Sequence, residues 1–308
     1  MKVTRGLIMC TRYFAGFLAF LLPFIFFLDD IAHASGYRWR GSVSAEMAAP
    51  TAIAFDGKDN LYVVESSKDR LLVYSSGGRH VKDLGGLDRP VSVAVDEAGR
   101  VLIGNAGRGN VEVYGRDFRL LRKLGEGDGE FGLPSSIAID GSGNIYVADS
   151  KDDVVRVYTS KGAYKGTLGP EGSFHVPTCI AIHKKSGDLV ISDLPVIQGP
   201  DGPTGGARLQ IFSSTGRLKR SFGEYGQGDG KLTKPMGVAV DASWNIYVTD
   251  SYQNIVQVFD KYGKSLGAMH SEGNPMRTPM GIAISAKGKY YIASLNTGKV
   301  EVFSMRTQ

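Results

Sequence analysis

The sequence predicts an all-β fold, a six-bladed propeller with four strands in each blade. Three observations carry that expectation. One phrase of about 40–45 residues recurs along the chain, the spacing of a propeller repeat. Every copy reads as short Val-, Ile- and Tyr-rich strands bounded by Gly, Asp and Asn. The last copy stops after its third strand, and a segment of matching composition stands ahead of the first copy.

The chain opens on Lys2, Arg5 and Arg12, followed by an uncharged, mostly apolar stretch from Tyr13 to Leu28. A membrane span needs roughly 20 residues, and this stretch is shorter. Ala32-His33-Ala34 then forms an A-x-A site. That order predicts a secretory signal peptide over 1–34, with 35–308 as one propeller domain. An uncleaved signal anchor is the alternative, favoured by Asp29, Asp30 and the Phe-rich stretch. Cys10 follows Met9 and lies before the apolar stretch, so lipidation there is rejected. Cleavage would leave Cys179 as the single cysteine, so packing without disulfides must hold the fold.

The repeats start at Pro50, Pro90, Pro134, Pro177, Pro235 and Pro279. In the clearest copy, Pro134-Ser-Ser-Ile-Ala-Ile-Asp140 is followed by Gly143-Asn-Ile-Tyr-Val-Ala-Asp149-Ser150 and then Val155-Arg-Val-Tyr158. The alternation of the third segment buries one side and wets the other. Fourth strands are expected at 80–84, 119–124, 164–168, 218–222 and 264–269. The sixth is expected from Tyr37-Arg-Trp-Arg-Gly-Ser-Val43, which would close the ring and leave no open edge.

This recurring phrase resembles the NHL-repeat family of six-bladed propellers, over about residues 37–308. The resemblance implies the fold. It selects no single function, because the fold carries enzymes, sensors and adhesive modules alike.

Strand order places the links between blades and the loops between second and third strands on one face, here the loop face. The other two kinds of turn open on the opposite turn face. Binding-face candidates are Arg70, Arg108, Asp153, Arg208, Tyr252, Asn254 and Lys299, which stand just before third strands. Candidates in longer loops are Phe131, His175, Gln198, Asp201 and Tyr225. The stretch 194–206 is a Pro- and Gly-rich insertion, expected to be extended and semi-rigid.

The enzymes that the resemblance brings into view are calcium-dependent lactonases and zinc- and calcium-dependent amidating lyases, which need metal ligands in the channel. The two positions after each repeat proline should lie near its mouth, and they hold neither histidine nor carboxylate. His80, His175, His183 and His270 lack ligand spacing. Asp56, Asp96, Asp140 and Asp241 recur and are read as turn-capping side chains, and Asp149, Asp193 and Asp250 as repeat grammar. Cys179 has no base beside it and is read as a small buried residue. The Gly-x-Gly runs open no helix, so they are no phosphate cradle.

A net charge of +5 is too mild to indicate nucleic acid. The outer strands are nonetheless basic, with Asp83 as their lone carboxylate. The expectation is an exported, periplasmic or extracellular, non-enzymatic propeller that binds a protein or envelope partner through its loop face. It has no cofactor and binds no nucleic acid, and it touches a membrane only if the signal is retained. The alternative is a hydrolase or lyase using Ca or Zn at the channel mouth.

Overall fold

The computed structural model describes residues 36–43, 47–125, 131–199, 202–270 and 276–306, with backbone alone at 197–199 and 202–204. Six four-stranded antiparallel sheets follow one another around a ring. Blade 3 shows the plan. Its inner strand Pro134–Ile139 pairs with Ile145–Asp149, that strand with Val154–Tyr158, and that with the outer strand Tyr164–Thr167.

Burial explains the sequence pattern. All five residues are buried in Leu61–Glu65, Val101–Asn105, Ile145–Asp149, Leu189–Asp193 and Ile246–Asp250. These second strands pack on a neighbouring blade from both sides, so they read as unbroken runs rather than alternating ones. The outer strands face water and carry the charge, as in His80–Leu84 and Leu218–Phe222.

The core is divided among the joints between blades. Leu102, Val111 and Val113 of blade 2 pack with Ile137, Ile145 and Val147 of blade 3. Corresponding clusters join each further pair of neighbours. The last sets Ile53, Leu61 and Val63 of blade 1 against Ala293 and Val300 of blade 6, which closes the circle by packing.

Turn chemistry sets where each inner strand stops. Asp140 Oδ1 accepts the N–H groups of Ser142 and Asn144 at 2.9 and 2.8 Å, and its Oδ2 accepts Asn144 Nδ2 at 2.8 Å. Gly143 supplies the left-handed φ of +80° that this turn needs. Asp56 and Asp241 repeat the arrangement. In blade 4 His183 takes the place of the aspartate. Its Nδ1 lies 2.9 Å from Ser186 Oγ, and its ring stacks on Trp244 at 4.0 Å.

The sixth sheet is Pro279–Ile284, Tyr290–Ser294 and Lys299–Met305, with Tyr37–Val43 as its outer strand. The register runs from Tyr37↔Met305 to Val43↔Val300, with a bulge between Trp39 and Gly41. Trp39 Nε1 donates to Glu301 Oε2 at 2.8 Å. The Tyr37 ring stands edge-on to Tyr247 and Tyr290, and its hydroxyl donates to that of Tyr247 at 3.1 Å. All six sheets and their joints lie within 36–306, so this stretch is a self-contained fold.

Some details differ from expectation. The outer strands Leu120–Leu124, Tyr164–Thr167 and Ser265–Met269 are each a residue shorter than read, because the adjoining turns or links claim that residue. The insertion of blade 4 is a two-stranded ribbon, Val196–Gly199 against Gly202–Gly205. The link before blade 5 holds a short parallel pair, Glu224–Tyr225 with Lys231–Leu232. The expectations for 1–34 lie outside the described residues.

Two outcomes follow from this packing. Trp39→Ala removes half-buried surface and strands the Glu301 carboxylate, and should cost about 2–3 kcal/mol in urea unfolding; an unchanged midpoint would show that the closing strand contributes nothing. Burial pushes the phenols of Tyr37, Tyr62, Tyr146 and Tyr158 up to about 12. A phenol raised in the fold adds stability that is complete below pH 10 and is lost as pH climbs through about 12. Phenolate absorbance of these side chains should therefore rise together with cooperative unfolding in that window, not ahead of it.

Candidate functional site

Each inner strand is bulged just after its proline, as the register break between Pro134 and Ser136 shows. Proline carbonyls at this level are taken by hydroxyls of the preceding blade. Ser92 Oγ donates to Pro134 O at 2.8 Å, and Ser135 and Ser150 Oγ donate to Pro177 O at 2.9 and 2.7 Å. The inner strands also crowd one another here: a Cβ on Gly237 would stand 2.3 Å from the Met280 carbonyl oxygen. The bulge positions are Thr51, Val91, Ser135, Thr178, Met236 and Met280. Hydroxyls, thioethers and an isopropyl group do not make a divalent-cation cage. Among the described residues no group of three or more His, Cys, Asp or Glu is placed to hold a metal. The residues present do not fit Ca or Zn. Cys179 Sγ accepts the Val238 N–H at 3.2 Å, and burial pushes its thiol up, so it is a packed thiol.

On the loop face, most of the anticipated binding residues are working parts of the ring. The last residue of each second strand is buried and polar, and in blades 1–5 it grips the link that enters its own blade. Asp149 accepts the N–H groups of Gly132 and Leu133 at 2.8 Å each, and Asp193 accepts that of His175 at 3.1 Å. Asp250 accepts that of Thr233 at 2.6 Å, and Glu65 that of Ala48. Arginines neutralise three of these acids: Arg156 binds Asp149 at 2.7 Å, Arg70 binds Glu65 at 2.6 Å, and Arg208 grips Asp193 with two bonds of 2.8 Å. Those carboxylates hold the Arg70 and Arg208 guanidiniums above their ordinary range.

A second latch joins neighbouring blades. Asp69, Asp153 and Asn254 take a left-handed φ before the third strand, as Gly109 and Gly298 do in other blades. Their side-chain oxygens accept the N–H of the residue ahead of the next repeat's proline: Arg89 at 2.8 Å, Val176 at 2.6 Å and Thr278 at 2.7 Å. Asp153 and Asn254 are thus latches, and Asp69 is a third that sequence reading missed. Phe131, expected in a loop, is a buried core residue beneath the Arg156 guanidinium. His175 is half-buried, with Nδ1 3.8 Å from Asp153. The side chain of Gln198 and all of Asp201 lie outside the described residues. Tyr252 and Tyr225 are exposed, as is Lys299.

What remains is a cleft of about 520 Å³ between blades 2 and 3, walled by Arg89, Arg108, Lys151 and the backbone of Gly107, Gly109 and Gly132. Arg108 is shared with Glu112 at 3.0 Å. Arg89 donates to the Ala106 carbonyl at 3.3 Å. Among the described residues neither Arg89 nor Lys151 has a carboxylate partner. Of the cleft cations, sequence reading named Arg108; Arg89 and Lys151 carry no repeat signature that marks them.

No family model matches this chain. In sequence it is 27% identical over 148 residues to Protein brain tumor of Drosophila melanogaster, covering 47% of this chain and 13% of that protein. It is equally identical over 148 residues to the B-box type zinc finger protein ncl-1 of Caenorhabditis elegans, covering 16% of it. To the human E3 ubiquitin-protein ligase NHLRC1 it is 29% identical over 98 residues, 32% of this chain and 22% of that protein. The matched stretch spans less than a quarter of each relative's length. In structure it resembles a gluconolactonase of Xanthomonas campestris, with TM-score 0.67, 16% identity and coverage of 86% and 88% of the two chains. It also resembles a streptogramin B lyase, with TM-score 0.63, 13% identity and coverage of 87% and 98%. At such identities the structural likeness shows the fold alone.

Latch and surface residues should separate on mutation. Asp149→Ala leaves the Gly132 and Leu133 N–H groups unmet and Arg156 with Asp152 as its remaining acid, and should cost about 3 kcal/mol in urea unfolding. Tyr252→Ala and Lys299→Ala should change stability by no more than about 0.5 kcal/mol. A mild Asp149→Ala would remove the buried acid from its structural role.

Proposed function

We propose that this NHL-repeat six-bladed propeller is a binding scaffold that captures a protein partner on its loop face, with an acidic side chain of the partner seated in the cleft between blades 2 and 3. The observation that carries this reading is the contrast among cations on one face. Arg70, Arg156 and Arg208 are committed to buried acids, whereas among the described residues Arg89 and Lys151 flank a cleft without an ion pair to a carboxylate. Exposed guanidinium and ammonium groups beside glycine backbone can pair with a carboxylate. The rigid blades hold these groups in place beforehand, which lowers the ordering cost of association.

The export reading supports an extracytoplasmic place of work, and N-terminal sequencing of exported protein should find a start at Ser35. For the alternative, a metal-dependent hydrolase or lyase at the channel mouth, the described residues at the bulge positions supply no metal-donor set.

A photo-crosslinking side chain placed at Lys151 should give a discrete protein adduct in intact cells, and one at Lys161 on the turn face should not. Arg89→Glu should abolish the adduct while the protein keeps its unfolding midpoint. Adducts of equal yield from both faces, or an adduct indifferent to Arg89→Glu, would refute the reading.

A further inference from the structure

The turn face has a different chemistry from the loop face, most plainly on blades 4–6. The inner-strand turn of blade 4 carries Lys184 and Lys185, the outer turn of blade 5 Lys261 and Lys264, and the inner-strand turn of blade 6 Lys287 and Lys289, all exposed. Among the described residues none of these has an ion pair with a carboxylate. The acids nearby are occupied: Lys219 binds Asp188 at 2.7 Å, Asp241 caps its own turn, and Asp260 accepts the N–H groups of Tyr262 and Lys264. Apolar surface stands among the lysines. Tyr262 is 61% exposed, with Lys261 Nζ 5.0 Å from its ring centre, and Met305 is 50% exposed.

The chain also enters the propeller on this face. Tyr37 pairs with Met305 at the turn-face end of the closing strand, and Gly36 O accepts the Arg306 N–H. The apolar stretch that ends at Leu28 is eight residues from Gly36 along the sequence, a reach of at most about 29 Å.

We propose that the turn face of blades 4–6 docks on an anionic phospholipid surface, with Tyr262 and Met305 at the headgroup boundary and the six lysines over the charged lipid. Lysines are point charges on flexible stems, which suits a diffuse surface potential better than the fixed fork that reads a single phosphate. A tyrosine with an apolar body and a polar tip belongs at that boundary. The patch lies within the propeller itself, so the docking is the same whether residues 1–34 are retained or removed. The acidic partner of the loop face remains accessible in this orientation.

The test uses residues 35–308, whose fold is self-contained, sedimented with phosphatidylcholine vesicles with and without phosphatidylglycerol. Binding should require phosphatidylglycerol and be reversed by high salt. The triple variant Lys185→Gln, Lys261→Gln, Lys287→Gln should lose about 100-fold in affinity while keeping its circular dichroism and melting temperature. Lys68→Gln with Lys234→Gln, on the loop face, should bind vesicles as the parent does. Equal binding to neutral vesicles, no binding to either, or full affinity in a folded triple variant would overturn the proposal. So would binding of single-stranded RNA without binding of anionic vesicles. None of these outcomes bears on the loop-face adduct, so the two proposals stand or fall separately.

Discussion

The ring depends on a buried polar side chain at the end of the second strand. Sheets packed face to face resist separation, but they do not by themselves dictate how the chain passes from one to the next. That passage is a link with backbone N–H groups pointing inward, which would be costly to leave unmet. Glu65, Asn105, Asp149, Asp193 and Asp250 each accept from the link entering their own blade. A carboxylate with no exposed surface needs compensation, and in blades 1, 3 and 4 an arginine from the third strand provides it. Blade 6 departs from the rule: Ser294 stands in that place, and Glu301 on the next strand takes up the Trp39 indole of the closing strand. The polar device has moved to where the two ends of the ring meet.

This constraint sorts the charges of the loop face. An arginine ahead of a third strand looks like an exposed cation in sequence, and both Arg70 and Arg208 were read so. Their partners lie across the strand pair, at the Glu65↔Arg70 and Asp193↔Arg208 register positions. A cation directly opposite a buried acid is part of the fold. Among the described residues Arg89 and Lys151 are paired with no acid, which leaves the cleft between blades 2 and 3 a cationic place on this face open to a ligand.

How much was legible follows from the same distinction. The blades were readable because each strand's neighbour is its neighbour in sequence, so periodicity and turn residues report the pairing directly. Asp140 and Asp241 were readable as turn formers because their partners lie two to four residues away. The latches were not. Asp153 binds a backbone group 23 residues on, and Asn254 one 24 residues on, across a blade boundary that composition does not mark. Phe131 reads as a loop residue because its glycine-rich flanks suggest exposure; its ring packs in the joint between blades 2 and 3.

The two faces then divide for a physical reason. On the loop face the chain must be handed between blades, so acids are recruited to bind link N–H groups and arginines follow them. On the turn face, the inner-strand turns of blades 1, 3 and 5 close on short-range caps that occupy Asp56, Asp140 and Asp241, while Asp96 and Asp188 pair with Arg100 and Lys219. Among the described residues Lys184, Lys185, Lys261, Lys264, Lys287 and Lys289 take no part in these pairs. A ring built this way has a loop face on which structural ion pairs surround a small cationic cleft. Its other face, on blades 4–6, holds uncommitted positive charge around Tyr262. Binding in the cleft and docking by the turn face therefore draw on separate sets of residues, and selection can alter either without loosening the ring.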